Sequence, residues 1–450
     1  MKISKYTFLF DHANKEYYTY NTLSNALIEI DEATYTVLRR HETDSVLPEA
    51  AFDGELWDVL CENNILTGND DDDFLKYKAY ITRLRSQRGS MHLTLAPTMD
   101  CCFRCHYCFE KYKEKKYMAP ETMDAIVKYV TSQSELRDVR ITWFGGEPLM
   151  AVPQIEAFHD KFSARWKNPV VSNIITTGYP IDEEAIRVMK KAGISRVQIT
   201  LDGMKETHNR VKYLPSGEDV FEKVMGNIEL LNDLAPEINI VIRVNLTHEN
   251  ASEYTQLFEL YLTRFKRRRN MGIAPAFVLD RGASGCDAGK LRSTLFDHKD
   301  RSEFILDLAD RGVDSPFIRY PERFFNECAI RNGTAISFDP EGYAYKCWEV
   351  IGNRDFAIGR LDADGRLIDI DEKTLNRQLY GADPIDDPIC SQCKYLPVCN
   401  GGCPIQRIEN KFENGHNNCC TYYKGYMVDF LKIHLDRKKA IEKLTGKQNE

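Results

Sequence analysis

The chain has 450 residues, 43% of them hydrophobic and 28% charged, with a formal net charge of −8. That length allows about three domains and a large buried core, while the acidic balance argues against nucleic-acid binding as the main activity. No apolar run approaches the ~20 residues of a membrane-spanning helix, and the opening "MKISKYTFLFDHANKEYY" turns charged too soon for an export signal, so a cytoplasmic protein with neither membrane nor nucleic acid as partner is expected.

The first ninety residues read as a separate module. "KYTFLF" and "YYTYN" flank "DHANKE" as a hairpin, and strand-like "ALIEI" follows, with helices near Glu32 and from Gly54 to Asn63. Cys61, within the apolar pattern "LWDVLCENNIL", reads as a core residue. "GNDDDDF", Gly68 to Phe74, reads as the solvated start of a helix or linker rather than a metal site.

Next comes "TMDCCFRCHYCFEKY", with Cys101, Cys102, Cys105 and Cys108 inside eight residues. Most of the 14 cysteines fall here or between 328 and 420. Without an export signal a reducing compartment disfavours disulfides, which leaves metal thiolates. Structural zinc also uses paired cysteines. Three spaced thiols on one short loop suit a [4Fe-4S] cluster with one open iron.

Downstream the pattern alternates. "MHLTLAPT" is the first expected strand, and "VRITWFGGEPLM" (Val139 to Met150) is a second that runs into Gly145-Gly146-Glu147-Pro148. Further strands are expected at Val170 to Thr177, Arg196 to Leu201, Ile238 to Asn245 and Gly272 to Leu279. Helical patterns such as "DEEAIRVMKKAGI" and "FEKVMGNIELLNDL" separate them. Six strands alternating with helices imply an α/β fold with a parallel sheet and right-handed crossovers. Paired glycines at a strand end let backbone approach a ligand closely, and the Glu147 carboxylate can accept from an ammonium. "KRRRN" at Lys266 to Asn270 reads as a solvated helix end.

Cys101-x3-Cys105-x2-Cys108, with an aromatic before the third cysteine, resembles the cluster loop of radical S-adenosylmethionine (SAM) enzymes. The resemblance implies a partial (β/α)6 TIM barrel whose chemistry sits at the C-terminal strand ends. It also implies a SAM-bound [4Fe-4S] cluster on Cys101, Cys105 and Cys108 as the catalytic centre, with Cys102 a bystander. One electron, from a donor such as flavodoxin or ferredoxin, splits SAM to a 5'-deoxyadenosyl radical that abstracts hydrogen. By the same resemblance Tyr107 lies near adenine, and Gly145, Gly146 and Glu147 form the GGE motif that holds the SAM amino group. "ITTGYP" carries Thr177 where the family has Asn. "ITLDGMKETHNRVK" supplies Thr200, Asp202, Arg210 and Lys212 at or beside positions that contact SAM, and either cation can face its carboxylate. Arg243 and Asn245 in "IRVNLTHEN" face the same site.

Cys328-x13-Gly342-x4-Cys347, then Cys390-x2-Cys393-x5-Cys399-x3-Cys403 and Cys419-Cys420, is similar in spacing to the SPASM domain of peptide- and protein-modifying radical SAM enzymes. That pattern implies two auxiliary [4Fe-4S] clusters, three in all. One would use Cys328, Cys347 and Cys403. The other would use Cys390, Cys393, Cys399 and Cys420, with Cys419 the alternative. The first lacks an obvious fourth ligand: Thr334 stands where many members have cysteine, which leaves either Cys286 to fill the gap or an open iron that a substrate thiolate can bind. The N-terminal module resembles a PqqD-like winged helix, the RiPP recognition element that holds a leader peptide by strand addition; the alternative is a cap on the barrel. The expected organisation is 1–90 recognition element, 91–285 barrel, 286–325 bridge and 326–450 SPASM domain with a C-terminal helix. The expected function is post-translational modification of a ribosomal peptide, forming an intrapeptide thioether or carbon-carbon cross-link. An anaerobic sulfatase-maturing enzyme is the first alternative, although Trp348 stands where those enzymes resemble one another in having aspartate. A non-catalytic iron-sulfur electron carrier is the second.

Overall fold

The computed structural model describes residues 1–43, 46–110, 114–214, 216–265, 268–279, 294–313, 315–325 and 327–445. Cys286 and part of the 266–270 basic run lie outside them. The chain forms two compact units: Met1–Arg85 with Asp297–Glu327 and Ala382–Glu450, and Ser86–Phe296 with Cys328–Gly381.

In the first unit β1 (Lys2–Ile3) pairs antiparallel with a later strand, and β2 (Thr7–His12), β3 (Glu16–Asn21) and β4 (Leu27–Ile30) form an antiparallel sheet. The hairpin between β2 and β3 turns through Ala13–Lys15, with Lys15 at positive φ. Asp31 and Asp53 cap the helices Glu32–Arg40 and Gly54–Glu62 by accepting from Thr34 and Leu56 amides. β5 (Leu66–Thr67) returns to pair with β1. Four aspartates open the helix Asp70–Arg85, where they complement its positive N-terminus. Tyr77 and Ile81 of that helix are fully buried in a cluster with Tyr6, Leu23, Ile385 and Leu396, so the N-terminal segment shares a core with residues beyond 382. Tyr77 Oη also donates to Asn400 Oδ1 (3.0 Å), and Arg85 bridges Glu327 and Asp383. The helix Met427–Thr445 closes the unit.

The second unit is built on one mostly parallel sheet. β6 (Ser90–Leu95), β7 (Asp138–Trp143), β8 (Val170–Thr176), β9 (Ile194–Leu201), β10 (Asn239–Leu246) and β11 (Met271–Phe277) pair in sequence order. Most of the crossings between them are made by the helices Pro120–Thr131, Val152–Arg165, Glu183–Lys191, Val220–Leu234 and Glu253–Phe265. Along β6, β7 and β9 buried residues alternate with partly exposed ones, as a sheet with two unlike faces requires. This α/β arrangement is consistent with a partial TIM barrel, and it aligns the C-terminal ends of all six strands. On the outer side of β6 lies β12 (Ala335–Phe338), also parallel, followed by antiparallel β13 (Tyr343–Tyr345), β14 (Gly359–Leu361) and β15 (Leu367–Ile368). No helix among the described residues is long and apolar enough to cross a membrane.

Candidate functional site

The Cys101–Cys108 loop follows β6 and is fastened by backbone to the turn after β7. Gly146 N donates to Thr98 O (3.3 Å) and Glu147 N donates to Asp100 O (2.8 Å). A Cβ on Gly145, at φ +125°, would stand 2.5 Å from Thr98 O, and one on Gly146 would stand 2.2 Å from Asp100 O. The close approach these glycines permit is therefore to the cysteine loop itself, rather than only to a ligand. Cys101 is buried, and Cys102, Cys105 and Cys108 are partly so. A hydrogen bond with the Cys101 thiol, together with burial, pushes the Cys102 pKa up.

Glu147 is fully buried. Its carboxylate accepts from Leu149 N (3.0 Å), Thr176 Oγ1 (2.7 Å), Thr177 N (2.7 Å) and Thr177 Oγ1 (2.6 Å). Burial raises its pKa against the pull of those bonds. Thr177 thus holds Glu147 in place.

A second network joins the loop to β9 and β10. The Tyr107 hydroxyl donates to Asp202 Oδ1, and Asn245 Nδ2 donates to Tyr107 Oη (3.0 Å). The Lys212 ammonium bonds Asp202 Oδ2. Asn250 Nδ2 spans the Asp202 and Asn245 carbonyls at 2.7 and 2.9 Å. Burial works against the Lys212 charge, but Asp202 and the nearby thiols of Cys105 and Cys101 outweigh it and raise its pKa. Burial, then Asp202, keeps the Tyr107 hydroxyl protonated. His208 accepts the Asp202 amide on Nδ1 (3.3 Å), so its proton sits on Nε2, which is buried without a hydrogen-bond partner. Burial and the Lys212 charge lower its pKa to about 3.

Of the two candidate cations, Lys212 is 1% exposed and paired with Asp202, while Arg210 lies exposed on the helix Lys205–Val211. Arg243 stands beside Thr200 in the β9–β10 register and donates to Asn245 Oδ1 (3.2 Å). Phe109 stacks near Phe144 (6.1 Å), and Phe144 on Trp348 (5.7 Å), so three rings run from the Cys108 side to the residue after Cys347. Asn250 escaped the sequence reading as a site residue, since "THEN" differs little from ordinary turn composition, and His208 lay inside the "ITLDGMKETHNRVK" segment without being given a role.

Cys328 and Cys347 belong to the same unit as this network. Lys346, only 3% exposed, donates to the carbonyls of Asn332 (2.6 Å) and Ala335, which fastens the turn after Cys328 to the strand before Cys347. Burial lowers its pKa to about 8 despite the Cys328 thiol.

Cys390, Cys393, Cys399, Cys403, Cys419 and Cys420 lie in the other unit. Between Cys399 and Cys403 the left-handed residues Asn400, Gly401 and Gly402 reverse the chain, and a Cβ on Gly402 would fall 2.0 Å from Cys419 O. Burial, with Cys420 and Cys390 adding, pushes the Cys399 pKa up to about 11. Burial likewise takes Cys419 to about 12. Cations point at two of these sulfurs: Arg407 Nη1 to Cys390 Sγ (3.4 Å) and Lys424 Nζ to Cys420 Sγ (3.3 Å). Among the described residues no three His, Cys, Asp or Glu side chains converge as on a single metal ion. A cubane cluster spreads its thiolates further apart than one ion does, and a thiol-rich donor set with cations aimed at sulfur fits iron-sulfur chemistry.

Residues 95–261 match the Radical SAM superfamily. A cysteine-type anaerobic sulfatase-maturating enzyme of Clostridium novyi is 24% identical over 388 residues, 79% of this chain and 96% of that protein. The radical SAM cyclopropyl synthase TigE of Paramaledivibacter caminithermalis is 19% identical over 479 aligned positions, 94% of each chain. The solved structure of native anSMEcpe with bound AdoMet and the Cp18Cys peptide superposes with a TM-score of 0.55 at 19% identity, covering 78% of this chain and 98% of that one. With a cysteine loop after β6, a Gly-Gly-Glu turn after β7 and this set of relatives, the chain carries a radical SAM domain and is homologous to enzymes that modify peptides or proteins.

Proposed function

We propose that the protein is a radical SAM/SPASM maturase that cross-links a ribosomally made peptide through a thioether or carbon-carbon bond. The observation that carries the reading is the backbone lock between the Cys101–Cys108 loop and the Gly145–Glu147 turn, with Tyr107 of that loop tied to Asp202 and Lys212. Cys101, Cys105 and Cys108 would hold the SAM-binding [4Fe-4S] cluster. When reduced by one electron, that centre supplies the 5'-deoxyadenosyl radical for hydrogen abstraction. The chain's own residues do the positioning. Glu147, held by Thr176 and Thr177, presents a carboxylate beside the loop, and Asp202 holds Lys212 and Tyr107 where the SAM carboxylate and adenine would lie. Thr200 and Arg243 line the adjoining strand ends. Two auxiliary [4Fe-4S] clusters on the second cysteine set would accept the surplus electron. Lys424 aimed at Cys420, rather than at Cys419, supports Cys420 as the last ligand.

In this reading residues 1–90 are a winged-helix-like element holding a leader peptide, 91–285 the barrel, 286–325 a bridge and 326–450 the SPASM domain, served by a flavodoxin or ferredoxin. TigE aligns over 94% of this chain and the sulfatase-maturating relative over 79%, which favours a peptide maturase over sulfatase maturation. Cyclopropane formation makes carbon-carbon bonds, so TigE also supports that branch. Trp348, stacked on Phe144 where the sulfatase enzymes resemble one another in having aspartate, points the same way.

The test is anaerobic reconstitution followed by reaction with SAM, reductant and a precursor peptide encoded by a neighbouring short reading frame. Iron should reach about twelve per chain for three clusters, and the peptide should lose two hydrogen atoms per bond formed. Replacing Cys101, Cys105 and Cys108 by Ala should remove about four irons and abolish SAM cleavage, while Cys102→Ala keeps both. A sulfatase peptide accepted in place of the precursor would establish the alternative.

A further inference from the structure

Arg407 occupies a position that the assignment of ligands leaves unexplained. It lies in the helix Pro404–Phe412, one turn beyond Cys403, whose carbonyl accepts its backbone amide (3.1 Å). Its guanidinium is spread over three partners in a different stretch of chain. Nε donates to Ala382 O (2.8 Å), Nη2 to Asp387 Oδ2 (2.9 Å) and Nη1 to Cys390 Sγ (3.4 Å). Asp387 in turn accepts the amides of Ile389 (2.9 Å) and Cys390 (3.0 Å) through its other oxygen, Oδ1. The Arg407 side chain is 11% exposed. Only a planar fork reaches a carbonyl, a carboxylate and a sulfur at once, and lysine has no such fork.

A structural arginine would need only the first two partners, which already bolt the turn before Cys390 to the helix after Cys403. The third bond is directed at a thiol. On a neutral cysteine such a contact contributes little. On a thiolate that ligates iron it places a fixed positive charge and an N–H donor against the sulfur. Cluster potentials are set by net charge and by hydrogen bonds to sulfur, and both effects stabilise the reduced state, which carries the extra negative charge.

We propose that Arg407 is a positioning residue for the auxiliary cluster of Cys390, Cys393 and Cys399, holding the Cys390 turn in place and raising that cluster's reduction potential through its Nη1–H···Sγ bond. The inference rests on the auxiliary-cluster reading above. A raised potential suits this cluster to accept the electron released when a substrate radical closes its bond.

The experiment uses the full chain, reconstituted anaerobically, as wild type, Arg407→Gln and Arg407→Lys, with iron content and spectroscopically monitored redox titrations. In Arg407→Gln one cluster's midpoint should move to a more negative potential, with iron content, the SAM-binding cluster's midpoint and SAM cleavage without peptide unchanged. Arg407→Lys should keep the charge and recover part of the shift. Iron retained with unchanged midpoints in Arg407→Gln overturns the inference, as does loss of one cluster's iron from both variants, which would make the role structural alone. Wild-type protein that takes up only about four irons refutes the auxiliary-cluster reading itself, a failure distinct from the other two.

Discussion

His208 shows how much a single buried side chain can reveal about its surroundings. An imidazole in an unfolded chain titrates near about 6.5, while this one is held down to about 3 by burial and by the Lys212 charge. Between those values the unfolded state binds more protons, so stability rises with pH across the window and falls as pH drops from about 6.5 toward 3, by at most ~1.4 kcal/mol per pH unit. The ring should therefore stay neutral, its NMR resonances constant from about pH 8 to about pH 5. A resonance titrating near 6.5 would mean that the site is wetter than its geometry implies. At this scale the sequence was informative where a residue type has few uses. Clustered cysteines, the Gly-Gly-Glu turn and Asp202 stood out, whereas Asn250 and Arg407 act through ordinary polar groups whose partners lie far off in the chain or on its backbone.

The turn after β7 acts as a socket for the cysteine loop, and its glycines carry that role. Gly146→Ala places a methyl group against the Asp100 carbonyl, which is backbone and has no flexible end to swing aside. The expected outcome is a displaced loop: about four irons lost and no SAM cleavage, with the remaining iron retained. Undiminished iron and cleavage would show that the loop shifts at little cost. The elements themselves were largely legible, because strand-helix alternation is a local signal. Five of the six barrel strands start and end within about two residues of the expected places, the ordinary uncertainty of element ends, while the first stops at Leu95, three residues short of the end of "MHLTLAPT". The purpose of the glycines was less legible. A pair of glycines announces a close approach, but the sequence does not say to what.

On the scale of the whole molecule, consecutive segments do not correspond to compact units. Residues 1–85 share one buried cluster with Ile385 and Leu396, and Tyr77 reaches Asn400 within the Cys399–Cys403 turn. Deleting 1–85 should thus do more than weaken the proposed hold on a leader peptide. Iron should fall from about twelve toward about eight, as the exposed core unsettles the second cysteine set, while SAM cleavage without peptide persists. A truncated chain with full iron would show that the C-terminal cysteines hold their fold alone. Patterning along the chain could not have revealed this, since neither segment carries a mark naming its partner. The pairing of β12 with β6 has a comparable effect on how the gene can be cut. A chain ending before Cys328, at the boundary a domain map of the barrel invites, would leave the amide and carbonyl edge of β6 bare. That strand leads directly into the Cys101 loop, so the isolated barrel would meet other copies of itself edge to edge before it met its cofactor.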